Sequence, residues 1–263
     1  SMIPLPVSFI LWTLVNSIGF ILYLRLFTKQ LTGQSFSTRL ILLVMISMPV
    51  VVNLMLGQVN VLLGICVGEF IRAVLTDKPI KAGLWLGSWL IKPQLLIVII
   101  PFLLIQRSIK VLSGFSLTTI GVLGISYGLV QLEGIQSLIE ILINASGGGV
   151  SSSPQVMMNW RMLGWHITSV TSQTFGWIVI VLGSLATIGA TLYAFGRKFS
   201  TDSTRNVNAF LGILAATSAV TWHAHLPMSI ILIPPMIYLM VNNHCNKNLF
   251  SVWVFMPILV TFS

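Results

Sequence analysis

Charge is scarce in this chain. Asp, Glu, Lys and Arg make up 7% of its 263 residues, and only five residues are acidic. A soluble domain carries about a quarter charged residues, so that class is excluded. Cysteine is nearly absent as well. Cys66 sits inside an apolar run and Cys245 near the end, which gives neither a disulfide framework nor a metal-ligand cluster. No Asp-x-Asp signature occurs anywhere, so no bound metal is expected. Ten-residue segments of alternating polarity are missing, which argues against a barrel. Ser1-Met2 leads directly into "IPLPVSFILW", without the charged region and cleavage site of a signal peptide. The last run, "VWVFMPILVTFS", is too short to span comfortably. Both ends read as cut, and the expectation is a piece of a longer protein.

What is present is apolar: 56% of residues, with a mean hydropathy of +0.96. Runs at 3–24, 40–56, 60–75, 82–105, 111–131, 173–196, 207–241 and 250–262 approach or exceed the ~20 residues that cross a hydrocarbon core as helix. The expected fold is all-α: a single polytopic transmembrane domain over 1–263. The net charge of +9 invites a nucleic-acid partner. The basic residues lie between apolar runs, however, where topology signals belong, and no nucleic acid is expected.

Those basic residues set the threading. Arg25, Lys29 and Arg39; Arg72, Lys78 and Lys81; Arg107 and Lys110; Arg197, Lys198 and Arg205; and Lys247 are placed in the cytoplasm by the positive-inside rule. The runs at 40–56 and 60–75 then go out and back, meeting at "GQVN", Gly57 to Asn60, on the outer side. Run 111–131 goes out and run 173–196 returns, which leaves 132–172 as an extracytoplasmic loop. Segments 82–105 and 207–241 have basic clusters at both ends, so each is read as a re-entrant helical hairpin. The first breaks at Lys92-Pro93-Gln94 and the second at "TWHAHLP", Thr221 to Pro227. A lysine at the centre of a single crossing would cost roughly 2.5–3.5 kcal/mol, whereas one at a hairpin tip need not face lipid. A kinked single crossing is the alternative.

Of the 14 Lys and Arg, Lys92 and Arg161 then lie away from the cytoplasm. The outer half gathers GQVN, the Lys92 tip, the histidine-bearing tip and the long loop. In that loop the Gly/Ser stretch 146–153 reads as a flexible connector. "GIQSLIEILI" reads as an interfacial amphipathic helix, with Glu133 just before it and Glu140 within it. Lys, Arg, His, Asn and Gln without matching carboxylates suit an anionic ligand such as a phosphate or diphosphate. Plainer roles stay open: Lys92 snorkelling to an interface, Arg161 meeting lipid headgroups, His223 and His225 capping a helix break, Gln58 and Asn60 satisfying a turn. His166 and His244 read as structural or solvated, and Glu69 as the partner of Arg72 one turn on.

"LGQVNVLLGICVGEFIRAVLTDKPIKAGLWLGSWLIKPQLLIVIIPFLLIQRSIK", 56 to 110, resembles the signature stretch of glycosyltransferase family 87, mannosyltransferase-like membrane enzymes of the GT-C class. "IPLPVSFILWTLVN", 3 to 16, looks like that family's Pro-Leu-Pro start of a Trp/Asn-bearing helix. "MMNWRMLGW", 157 to 165, is similar to its Asn-x-Arg loop, with Met162 in place of the usual Gly. "AVTWHAHLPM", 219 to 228, resembles its Trp-x-His-His segment, with Ala224 separating the histidines.

The resemblance implies a polyprenyl-phosphate sugar donor, hexosyl or mannosyl transfer, and a lipid or glycan acceptor on the non-cytoplasmic face of a bacterial plasma membrane. Membrane lipids are then the surrounding partners, and the donor is a substrate rather than a cofactor. Lys92, Arg161, His223 and His225 become phosphate partners, while Gln58, Asn60 and Asn159 become hydrogen-bond partners of sugar or phosphate oxygens. The catalytic Asp of this class is expected upstream of residue 1, which leaves the base unassigned. A secondary transporter or lipid-glycan flippase is the competing reading, because broken helices with polar tips are equally a transporter feature. A structural membrane subunit would leave Lys92 and Arg161 without a role.

Overall fold

The structure, a computed structural model, describes residues 4–146, 157–196, 199, 202–242 and 244. The α-helices run Leu5–Thr32 (α1), Thr38–Ile46 (α2), Met48–Met55 (α3), Asn60–Leu75 (α4), Pro79–Gly87 (α5), Leu96–Ile105 (α6), Ile109–Ser146 (α7), Trp160–Val170 (α8), Gln173–Phe195 (α9), Ser203–Val220 (α10) and Ile233–Val241 (α11). Short 3-10 turns occupy Ser88–Ile91, Pro93–Leu95 and Leu226–Leu232. Among the described residues the only extended pairing is a single antiparallel bridge, Met157 with His225. The connector at 147–153 and the final run at 250–262 lie outside the described residues.

α1, α7 and α9 are long and apolar enough to cross a membrane. Of their most apolar stretches only 17%, 11% and 6% is buried within the protein, so most of that surface must face lipid. The chain is a polytopic integral membrane protein. The run 40–56 is not one straight helix: α2 and α3 are together long and apolar enough to cross but meet at a 58° bend. Ser47 there is extended (ψ 140°) ahead of Pro49, whose ring cannot continue the hydrogen-bond ladder. α4, at 16 residues, is shorter than a full crossing, about 24 Å of helix.

The contacts of the described residues group into two units, whose ranges along the chain are as follows. The first comprises 1–78, 199–214 and 226–263. Its core is an apolar cluster in which Phe20 and Leu24 of α1, Ile41 and Val44 of α2, Val61 of α4 and Ile230, Ile233 and Ile237 of the last segment are all buried. Two glycines of α4 permit close approach, since a Cβ on Gly64 would stand 3.0 Å from Ile230 and one on Gly68 would overlap the Tyr23 hydroxyl. Phe210 of α10 packs edge-on against Phe70 of α4, with ring centroids 5.2 Å apart. Residues from both sides of the 221–225 break thus rest on α4, as a chain that turns back requires. Glu69 and Arg72 form the expected ion pair one turn apart.

The second unit comprises 79–198 and 215–225. α5 and α7 lie against each other on glycines: a Cβ on Gly83 would fall 2.0 Å from the Val111 carbonyl, one on Gly114 2.3 Å from the Ile80 carbonyl, and one on Gly87 2.3 Å from Thr118. Residue numbers rise together along the two helices, so they run in the same direction. α6 ends only a few residues before α7 begins, so the segment from Pro79 to Ile105 returns to the end from which it started. It is a hairpin, broken at Lys92 as its flanking charges predicted. α9 comes back to that same end, where Gly196 lies against Ile105. α7 bends at Gln131 (φ 55°, ψ −168°), the point at which the apolar run 111–131 stops and the expected interfacial helix begins.

Candidate anion-binding site

Three places carry the residues expected to act on a ligand. The first is the turn between α3 and α4. Gly57 adopts a left-handed backbone (φ 61°), and its carbonyl accepts a hydrogen bond from the Trp12 indole at 3.1 Å. The Asn60 amide donates to Asn53 Oδ1 at 3.0 Å and to Gln58 Oε1 at 2.7 Å, and the Asn53 amide donates to the Gln58 carbonyl at 3.1 Å. Asn53 and Asn60 are fully buried. Gln58 and Asn60 therefore knit this turn, in the first unit.

The second place is the tip of the Pro79–Ile105 hairpin. Pro93 has no N–H to donate and disfavours helical backbone at the residue before it, so Lys92 is pushed to φ −134°, ψ 80°. Its backbone still bridges the two 3-10 turns, since Lys92 N donates to the Trp89 carbonyl and Leu95 N donates to the Lys92 carbonyl, both at 2.9 Å. The side chain is half-buried at the break.

The third place joins two stretches far apart in sequence. Asn159 begins α8, its Oδ1 accepting from Met162 N at 3.0 Å as a helix cap. Its amide reaches across to donate to the Thr221 carbonyl at 2.7 Å and the Trp222 carbonyl at 3.3 Å. Met157 pairs with His225 in the isolated bridge, and Met158 N donates to the Ala224 carbonyl at 2.8 Å. The 157–161 segment thereby clamps the 221–225 break. Arg161, the second residue of the helix, lies with its guanidinium carbon 4.2 Å from the centre of the Trp222 ring. Trp222 in turn stacks on Trp177 of α9, with centroids 5.6 Å apart and planes at 16°.

The electrostatics of this cluster are one-sided. Arg161 is 9% exposed, and among the described residues no carboxylate pairs with it. Burial lowers its pKa, yet a guanidinium stays charged throughout the accessible range. Burial, then the charge of Arg161, then His225 hold the His223 imidazole below the ordinary histidine range. A permanent cation beside one imidazole held neutral and a second close by can receive an anion and then share a proton with it.

Asn159, Arg161, His223 and His225 are thus brought together, as two motifs separated by some sixty residues. Lys92 belongs to the same unit, and Gln58 and Asn60 to the other. His166 is exposed and meets the edge of its neighbour Trp165, and His244 is exposed. Glu133 and Glu140 are exposed on the part of α7 beyond Gln131. Among the described residues no three His, Cys, Asp or Glu side chains are grouped as metal ligands would be. Sequence reasoning missed Trp222, Trp177 and Met157. Trp222 and Met157 both stood inside motifs picked out above, but their partners were not apparent, and Trp177 lies in no motif.

The profile of a family described as Glycosyltransferase family 87 matches residues 1–224. No protein of curated function and no solved structure matches the chain.

Proposed function

This chain belongs to glycosyltransferase family 87, and from that premise we propose that it takes part in moving a hexose, mannose in the first instance, from a polyprenyl-phosphate carrier to a lipid or glycan acceptor on the non-cytoplasmic face. The observation that carries the reading is the convergence of Arg161, His223 and His225, with Asn159 fixing the segment and no carboxylate paired with Arg161 among the described residues. In such a transfer the bond between the anomeric carbon and the phosphate oxygen breaks, while an acceptor hydroxyl bonds to that carbon and its proton passes to a general base. Charge builds on the leaving phosphate, and fixed cations lower the barrier most where that charge develops. Arg161 offers forked N–H donors, Lys92 a compact point charge, and the histidines donors that gain a proton as the phosphate arrives. Asn159 holds the loop in place. For Gln58 and Asn60 the support is their motif alone, since the turn network already engages their amides. The donor needs no divalent cation in this scheme, because side-chain cations meet the phosphate.

The test is the full gene product reconstituted in liposomes with a radiolabelled polyprenyl-phosphate mannose and membrane lipid. Label moving to a new lipid or glycan supports the proposal; transfer from no polyprenyl-phosphate sugar would sink it. The broken helices favour one other reading, a transporter or flippase of lipid-linked glycans. That reading expects the labelled lipid to change leaflet with its glycosidic bond intact.

A further inference from the structure

The Arg161 side chain is charged, 9% exposed and, among the described residues, without a carboxylate partner, which is a costly arrangement unless something else holds it. Its surroundings supply one strong feature, the Trp222 ring 4.2 Å away, and one weak one, the Met157 sulfur at 4.0 Å from a guanidinium nitrogen. The negative face of an indole attracts a cation without neutralising it, and it leaves the N–H donors at the guanidinium rim pointing past the ring. A carboxylate in the same place would occupy those donors and cancel the charge. The ring itself is fixed twice. Its backbone carbonyl accepts from Asn159, two residues before Arg161, so one short segment carries both the cation and the clamp on its platform. Its plane stacks on Trp177, which α9 delivers because α8 and α9 touch through glycines: a Cβ on Gly164 would fall 2.3 Å from Ile180, and one on Gly176 2.0 Å from the Thr168 hydroxyl.

We propose that Trp222, backed by Trp177, is the positioning residue of the Arg161 cation, holding it un-neutralised and oriented for the lipid-linked phosphate of the donor, which becomes a monoester as the sugar leaves. The inference rests on the donor-site reading above and extends it to a residue that touches neither the phosphate nor the sugar. It gives the second motif a division of labour: the tryptophan orients the arginine of the other motif, and the histidines flank the charge. It also makes the ring face, rather than the indole N–H, the property that matters.

The experiment compares binding of farnesyl phosphate and of farnesol to the full-length protein in lipid nanodiscs, for wild type, Trp222→Leu and Trp222→Phe. The leucine variant removes the ring, and the phenylalanine variant keeps a face. The expected result is about a tenfold loss of farnesyl phosphate affinity in Trp222→Leu, with Trp222→Phe within about threefold of wild type. Farnesol, which has no charge to meet, binds all three alike. Equal loss for both ligands would show that the indole only shapes the site, and would overturn the inference. So would wild-type affinity in Trp222→Leu, or a loss in Trp222→Phe as large as in the leucine variant. A wild-type protein that does not distinguish farnesyl phosphate from farnesol overturns the donor-site reading itself, and the inference with it.

Discussion

Single residues at the clamp separate binding from scaffolding. Arg161→Ala removes the permanent cation, and charge-assisted hydrogen bonds are worth about 1.5–3 kcal/mol. Polyprenyl-phosphate affinity should fall roughly 10- to 100-fold, read by the same nanodisc titration. Arg161→Lys recovers only part of it, because an ammonium neither forks nor lies flat on Trp222. Asn159 has the opposite character. It caps α8 and donates across the clamp to two carbonyls, so Asn159→Ala loses a cap and strands a buried acceptor. The expected cost is about 2–4 kcal/mol in reversible unfolding, with Asn159→Asp intermediate because it keeps the cap alone. His223 supplies a pH signature. Its imidazole is held below the ordinary range, so it is neutral at pH 7 until an anion arrives and draws a proton onto it. Binding then takes up a proton, and affinity should rise as pH falls from about 8 to about 6.5; below that the phosphate's own second ionisation near 6 opposes it. In His223→Gln that slope should disappear. For stability the sign is reversed: the unfolded chain binds the proton more readily, so His223 withdraws support as pH falls below about 6.5.

At the scale of elements, α5 and α7 depend on backbone approach. The Gly83 and Gly114 positions admit no Cβ without moving a helix, while around Gly121 and Gly124 of the same α7 nothing lies within 4 Å. Gly83→Ala and Gly114→Ala should therefore lower thermal stability in detergent by several degrees, whereas Gly121→Ala and Gly124→Ala should leave it unchanged or raise it slightly. A uniform effect at all four positions would refute close packing as the reason for the glycines. The same elements show what a sequence can reveal. The breaks at Lys92 and at 221–225 were legible because a charge or a pair of histidines interrupts an apolar run between basic clusters, and the bend at Gln131 because the run ends there. The bend at Ser47 was not legible. Pro49 is its only marker, in a stretch whose hydropathy never drops, and a proline in the first turn of a helix is as compatible with a straight start as with a corner. The clamp was half legible. Both motifs could be picked out, but the contact between them is made by backbone carbonyls and an aromatic stack, which no periodicity encodes.

For the whole molecule, the distribution of charge makes a prediction that binding assays cannot reach. Every arm of the second unit fits one direction of threading: the start of α5, the end of α6, the start of α7 and the end of α9 share one end, and the nearby sequence carries Lys78, Lys81, Arg107, Lys110, Arg197 and Lys198. That end belongs in the cytoplasm if the positive-inside rule governs this chain. The rule then puts the part of α7 beyond Gln131, and the 157–161 segment, on the opposite side, where a lipid-linked sugar would be met. Cysteine labelling decides it. With Cys66 and Cys245 replaced by Ser, a cysteine introduced as Ser137→Cys, beyond the bend, should react with an impermeant maleimide on intact cells. One introduced as Ser35→Cys, in the exposed loop before α2, should react only after the membrane is opened. The reverse pattern would place the Arg161 cluster in the cytoplasm, beside soluble nucleotide-linked sugars, and the polyprenyl-phosphate donor would lose its physical rationale. Labelling of both positions from outside would mean an even number of crossings between them. That would contradict the hairpin in 79–105 or a crossing by the 16-residue α4, the two elements on which the count turns, and the choice would fall to a third cysteine at exposed Lys78, between them: open to the outside if 79–105 crosses once, cytoplasmic if α4 does not cross.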